Sequence, residues 1–190
     1  HRARRYKESM VYLLKRYRQY DPAAKSILEV ALLYPGVKAV CLHKIAHRLA
    51  RWKIPFFPRM VSELSRLITG IDIHPGARVG RGLIIDHGMG TVIGETAVIG
   101  NDVIIYQGVT LGGTELKHAK RHPTLEDHVV VGAGAKVLGN ITIGTGSRIG
   151  ANSVVIEDVP PNSTVVGIPA RRVRQGVTPG EELSHQKIKE

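Results

Sequence analysis

The apolar positions of this 190-residue chain follow two different periods, and the change falls near Ile71. Before it, Tyr6, Met10, Leu13, Leu14 and Tyr17 recur at i, i+3 and i+4, the stripe of an amphipathic helix. Asp21-Pro22 reads as an N-cap followed by proline at the first helical position, opening a second helix through about residue 34, where Pro35-Gly36 interrupts it. The pattern predicts a third helix near 37–52, broken by Pro55 and Pro58, and a fourth over about 59–69, closed by Gly70.

After Ile71 an aliphatic residue returns at every sixth position. The first series is Ile73, Val79, Ile85; the second Ile93, Ile99, Ile105, Leu111; the third Leu125, Val131, Val137, Ile143, Ile149, Val155. Glycine follows many of them directly, as at Gly80, Gly94, Gly100, Gly132 and Gly144. Small or aliphatic partners such as Ala77, Ala97, Val103, Ala135, Ser147 and Ser153 sit four positions on. That is neither a helix nor simple alternation. A six-residue period marks a parallel β-helix, whose coils bury their apolar edges only against the coils above and below. The expected fold class is therefore α+β, with an N-terminal helical segment over 1–70, a parallel β-helix of hexapeptide repeats over 71–174 and a tail over 175–190.

The register breaks twice. Ile85 to Ile93 spans eight positions, so two extra residues enter around Asp86-His87; Leu111 to Leu125 spans fourteen, read as two repeats plus two, and contains the polar run 113–122. A solenoid that leaves its period only where histidine and charge cluster is expected to hold its chemistry there.

Composition narrows the classes. Hydrophobic residues make up 43% of the chain, enough for a packed core, while aromatics reach only 5% beside 21 glycines, which suits tight corners and small core side chains. The net charge of +11 points toward nucleic acid until it is located: residues 1–70 hold 15 Lys/Arg against 4 Asp/Glu, and residues 71–190 hold 12 of each. The excess lies at helical spacing among apolar residues and reads as a solvated face, so no nucleic-acid partner is expected. No apolar run approaches the roughly 18–20 residues of a membrane span, and the basic, polar first residues lack a secretory leader's apolar stretch. A single cysteine, Cys41, allows no internal disulfide and fits a reducing, cytoplasmic setting.

Several motifs carry a family resemblance: Asp72-Ile73-His74-Pro75, Ile85-Asp86-His87, Gly94-Glu95-Thr96-Ala97, Gln107-Gly108-Val109-Thr110-Leu111-Gly112-Gly113-Thr114, Arg121-His122-Pro123, Gly132-Ala133-Gly134-Ala135-Lys136 and Gly167-Ile168-Pro169-Ala170. Together they resemble the hexapeptide-repeat acyltransferases, and within them the serine acetyltransferases, over about four-fifths of the chain. The resemblance implies a left-handed β-helix, a homotrimer or dimer of trimers with shared active sites, acetyl-CoA as co-substrate, no metal, and cysteine as a possible feedback inhibitor. Family members often carry a larger helical region than the seventy residues found here. Many end in an isoleucine that docks into the next enzyme of the pathway; this chain ends Ile188-Lys189-Glu190, so that complex is not expected.

Acetylating a serine hydroxyl near neutral pH needs a base, and imidazole suits the task. His87, in the first insertion, is the candidate. By resemblance it is the family's catalytic histidine and Asp72 the carboxylate that orients it; their fifteen-residue spacing is close to one turn of such a helix, so stacked neighbouring coils could bring them together. A zwitterionic substrate needs a cation for its carboxylate, which Arg121 can bind bidentately with His122 beside it. It also needs anions for its ammonium, and the resemblance implies Asp86 and Asp21. For acetyl-CoA the resemblance implies Gly113, Ala133 and Ala151 along the pantetheine chain, while Lys136 and the Arg171-Arg172-Arg174 cluster are phosphate candidates. Three other readings stand beside this one: an acyltransferase for a sugar, an antibiotic or homoserine; a β-helix carbonic anhydrase drawing on His87, His118, His122 and His128; and a non-catalytic binding scaffold.

Overall fold

The structure, a computed structural model, describes residues 2–175, with side chains from Met10 to Val173. Tyr6's side chain, the tail beyond Gln175 and the terminal Ile188-Lys189-Glu190 lie outside the described residues. Four helices come first: α1 (Arg2–Tyr20), α2 (Ile27–Leu33), α3 (Pro35–Arg51) and α4 (Phe57–Thr69), the last ending on Gly70 in the left-handed conformation at φ 71°. The stripe on α1 faces inward, with Leu13 and Tyr17 buried and Met10 and Leu14 partly so. Asp21 is not the cap expected of it. The second helix is capped five residues later by Ser26, whose hydroxyl accepts the Glu29 N–H, and Pro35 serves as the first residue of α3 rather than as a mere break. Asp21 instead closes a short turn of its own on the Ala23 N–H at 2.8 Å, leaving the helix start to a residue nearer the apolar run.

From Asp72 the chain winds as a left-handed parallel β-helix with three faces. The first face stacks Asp72–Ile73, Val92–Ile93, Thr110–Gly112, Lys136–Leu138 and Val154–Val155. The hexapeptide series is the core. Ile85, Ile93, Ile105, Leu111, Leu125, Val131, Val137 and Ile143 are at most 1% exposed, and their small partners Ala77, Ala97, Ala135, Ser147 and Ser153 are fully buried. The buried cluster runs without a gap into the helical segment through Tyr17, Val30, Val37 and Val40, so the two periods share one core.

Corners, not strands, impose the sequence requirement. Two columns of residues adopt positive φ: Gly82, Asp102, His128, Gly146 and Asn162 in one, Gly90, Gly108, Gly134 and Asn152 in the other. Glycine takes this conformation freely, and Asn, Asp and His bear it better than most residues. The columns also measure the coils. Ile93 stacks on Leu111, eighteen positions on, and Val137 on Val155 at the same interval; Ile73 stacks on Ile93 at twenty and Leu111 on Val137 at twenty-six. The second insertion is therefore one repeat plus eight residues within a single coil, not two repeats plus two. The run 113–122 leaves the coil as a loop and contributes no stacked layer.

Candidate active site

The two insertions emerge at opposite edges of the first face. The edge leading into it carries Asp86-His87, above Gln107-Gly108, Ala133-Gly134 and Ala151-Asn152, joined by backbone bonds from Gly108 to Met89, Gly134 to Gln107 and Asn152 to Ala133. The edge leading out of it carries Gly94-Glu95-Thr96, on which the loop 113–122 folds back.

At the entry edge, His87 has φ 57° and Gly88 φ 78°, a left-handed pair outside both corner columns. The two extra residues bulge outward here, leaving the His87 side chain 75% exposed. Its Nε2 lies 4.0 Å from Asp86 Oδ1. Asp86 Oδ2 accepts from the Tyr20 hydroxyl at 3.1 Å, and Tyr20 Oη lies 2.7 Å from Tyr106 Oη. Asp21, at the end of α1, reaches the same corner: it accepts hydrogen bonds from the Tyr34 hydroxyl and the Ala23 N–H, and both, with His87 nearby, hold its carboxyl below the usual range. The helical segment is fastened to this corner by Tyr17, whose hydroxyl accepts the Ile85 N–H at 2.8 Å and donates to the Ile85 carbonyl at 3.2 Å. A Cβ on Gly36 would fall 2.2 Å from that hydroxyl and 2.3 Å from the Ile85 carbonyl, so the start of α3 can approach only as glycine. Lower down, Arg16 and Tyr12 clasp Asp102 at 3.2 and 2.8 Å.

Asp72 does not stack on His87. Both belong to the same coil, Asp72 pairs with Val92, and no hydrogen bond or ion pair joins its carboxylate to the imidazole. Its backbone N–H bonds the Thr91 carbonyl, while Gly90 bonds Gly70, so Asp72 borders the turn that carries His87.

At the exit edge, Arg121 is already partnered. Its Nη2 contacts Glu95 Oε2 at 2.6 Å and its Nη1 the Lys117 carbonyl at 3.0 Å, which holds the Glu95 carboxyl below its usual range. His122 is 8% exposed and lies flat on Gly94, where a Cβ would meet its ring at 2.0 Å. Its Nδ1 takes the Thr96 N–H at 3.2 Å, while Thr96 Oγ1 accepts the N–H groups of both Arg121 and His122. A backbone N–H can only donate, so Nδ1 is an acceptor and the proton of this neutral ring sits on Nε2. Burial and the adjacent guanidinium push the His122 pKa down, which favours that neutral form. His122 is built to donate, not to act as a base.

The acetyl-CoA candidates divide between the same edges. Ala133 and Ala151 stack below His87, and Lys136 on the face beside them donates to the Gly108 carbonyl at 2.5 Å. Gly113 sits under the Arg121 side chain. Arg171 and Arg172 lie on a terminal strand, Arg171–Gln175, antiparallel to Ser163–Val166, and line a cavity of about 230 Å³ with Glu157 and Asp158 at the last coil of the β-helix. The sequence reading assigned no role to Tyr20, Tyr34, Tyr106, Glu95 or Thr96. Adjacency is the one signal in the chain for three of them: Tyr20 precedes Asp21, and Glu95-Thr96 lies within Gly94-Glu95-Thr96-Ala97.

Residues 122–157 match the family described as bacterial transferase hexapeptide (six repeats). Over 168 residues the chain is 58% identical to the serine acetyltransferase of Synechococcus elongatus, covering 88% of this chain and 69% of that protein. It is 58% identical over 162 residues to the serine acetyltransferase of Helicobacter pylori strain J99, covering 85% and 95%. Among solved structures it superposes on Neisseria gonorrhoeae serine acetyltransferase in complex with serine at a TM-score of 0.85, with 42% identity over 88% of this chain and 69% of the other. The corresponding values are 0.86, 41%, 91% and 70% for the Brucella abortus enzyme in complex with coenzyme A. For a serine acetyltransferase in complex with cysteine they are 0.87, 40%, 89% and 66%.

Proposed function

The chain belongs to the serine acetyltransferase family, and from that premise we propose that it moves the acetyl group of acetyl-CoA onto the hydroxyl of L-serine with His87 as general base. His87 Nε2 takes the hydroxyl proton as the serine oxygen attacks the thioester carbon. The C–S bond then breaks, and the imidazolium returns its proton to the departing thiolate, giving O-acetylserine and coenzyme A, a step that serves cysteine biosynthesis. Asp21 and Asp86 receive the substrate ammonium, Arg121 its carboxylate, and His122 donates from Nε2. Asp72 orients the base from beside its turn. Ala133, Ala151, Gly113 and Lys136 border the path of acetyl-CoA.

One observation carries the arrangement: within a single chain the base and the guanidinium lie at opposite edges of one face. Six extended residues span about 20 Å, far more than a serine molecule. A serine touching both must lie between the entry edge of one copy and the exit edge of the next, as in a closed ring of three copies or two such rings stacked. Cysteine, which keeps serine's ammonium and carboxylate but replaces the hydroxyl with a thiol, fits the same site as an inhibitor. No helix among the described residues is long and apolar enough to cross a membrane; the lone Cys41 supports a reducing, cytoplasmic setting. The test is thiol release from acetyl-CoA with serine, homoserine, sugars and an aminoglycoside compared as acceptors. Turnover with serine at least tenfold above the others is expected; faster turnover with any other acceptor overturns the assignment.

A further inference from the structure

This aromatic-poor chain has six tyrosines, and the hydroxyls of four, Tyr17, Tyr20, Tyr34 and Tyr106, converge on the entry side of the site. Tyr12 and Tyr17 fasten α1 to the β-helix. The other three engage the two carboxylates assigned to the substrate ammonium. Tyr34, between α2 and α3, donates to Asp21 Oδ2, and Asp21 Oδ1 is held by the Ala23 N–H. Tyr20 is bonded to Asp86 Oδ2 and lies 2.7 Å from Tyr106 Oη. A phenol has one hydrogen and an ionised carboxylate can only accept, so Tyr20 gives its hydrogen to Asp86 and Tyr106 gives its own to Tyr20. The chain Tyr106–Tyr20–Asp86 runs one way.

We propose that Tyr34 and Tyr20, backed by Tyr106, are positioning residues that set the specificity for an α-ammonium: each fixes one carboxylate so that its remaining lone pairs meet the cation without rotation. This rests on the serine reading above. Free carboxylates on an exposed corner rotate and hydrate, and a cation must order them on binding. Here the ordering is done beforehand. Asp21 is fixed through both oxygens, while Asp86 is fixed through Oδ2, with Oδ1 left facing His87. The phenols come from the helical segment and the carboxylate of Asp86 from the β-helix, so selectivity for the amino group depends on how the two periods dock. Neither phenol touches the reacting hydroxyl or the thioester, and the turnover rate has no reason to follow them.

The test is steady-state kinetics on the full chain with L-serine and acetyl-CoA. Tyr34→Phe and Tyr20→Phe should each raise the serine KM by about tenfold, the loss of one hydrogen bond to a charged group. The kcat and the acetyl-CoA KM should stay within about twofold, and the far-ultraviolet circular dichroism should be unchanged. In an Asp21→Ala background, Tyr34→Phe should add less than about twofold, because the phenol acts only through that carboxylate; Tyr20→Phe in an Asp86→Ala background should behave alike. An unchanged serine KM in both single variants overturns the proposal. So does an equal rise in both Michaelis constants, or an undiminished effect in the Ala backgrounds, each of which would mark a merely structural role. An Asp21→Ala enzyme with normal serine KM would instead remove Asp21's substrate role and the proposal together. A wild-type enzyme inactive on serine would show that the functional reading itself had failed.

Discussion

The two edges of the first face hold their histidines in opposite ways. His122 is buried, flat against Gly94, with Nδ1 committed to the Thr96 N–H and its pKa pushed down. His87 is 75% exposed on a left-handed bulge with carboxylates beside it. The cations and anions divide the same way: Arg121 is tied to Glu95 at the exit edge, while Asp21 and Asp86 stand at the entry edge under tyrosine control. One edge is a fixed donor surface and the other presents an exposed imidazole beside carboxylates. A catalyst needs both, and neither edge alone can hold a serine through all its groups.

The comparison is most severely tested by mixing subunits. His87→Ala should lower kcat by about two to four orders of magnitude, the usual worth of a general base, with acetyl-CoA binding nearly intact. If each site joins two copies, co-refolding His87→Ala with Arg121→Ala should restore about a quarter of wild-type activity, the chance that two intact edges meet in a ring. No recovery above the separate variants would place both edges in one site within a chain. Asp72→Asn should slow the same step less, and combined with His87→Ala it should add almost nothing, because an orienter has no role without its base.

Arg121→Ala should raise the serine KM by about ten- to hundredfold, the worth of a charge-assisted contact, and the acetyl-CoA KM far less. An equal rise in both would recast the guanidinium as a strut for Glu95 and the loop. Gly36→Ala probes how far the entry edge depends on the helices: overpacking against Tyr17 and Ile85 should cost about 1–3 kcal/mol of stability by thermal unfolding. The exit edge's titration should hardly move. A variant as stable as wild type would mean that α3 is free to shift.

The smallest effect concerns acid. His122 has a folded pKa below the ordinary 6.5, so the unfolded chain binds its proton first as pH falls. Its contribution to stability is complete above about pH 6.5 and is lost as pH falls from there toward the folded pKa. NMR titration should find its midpoint below that of a free histidine, and His122→Gln should flatten part of the fall in Tm between pH 7 and 5. A midpoint at or above 6.5 would erase the contrast between the edges.

Sequence alone determined the β-helix, its inward series and the location of both insertions, because each coil repeats one local demand: an aliphatic residue inward and a tolerant residue at the corner. It also singled out the stretches that carry His87 and Arg121, since each stretch breaks a strict period. It misjudged what no local rule governs. Asp21 looked like a helix cap because Asp-Pro is a good cap, yet Ser26 sits nearer the apolar run, and a tyrosine thirteen residues away claims the carboxylate. The second insertion was counted as stacked repeats because its length allowed two, while pairing of Leu111 with Val137 makes it one loop. The fifteen-residue spacing of Asp72 and His87 suggested a pair that the coil geometry leaves unbonded. Only the tertiary structure decided that Tyr34 meets Asp21 across the turn between helices, and that Tyr20 meets Asp86 and Tyr106; the latter contacts join a segment of period 3.6 to one of period six, and neither period encodes how the other will dock.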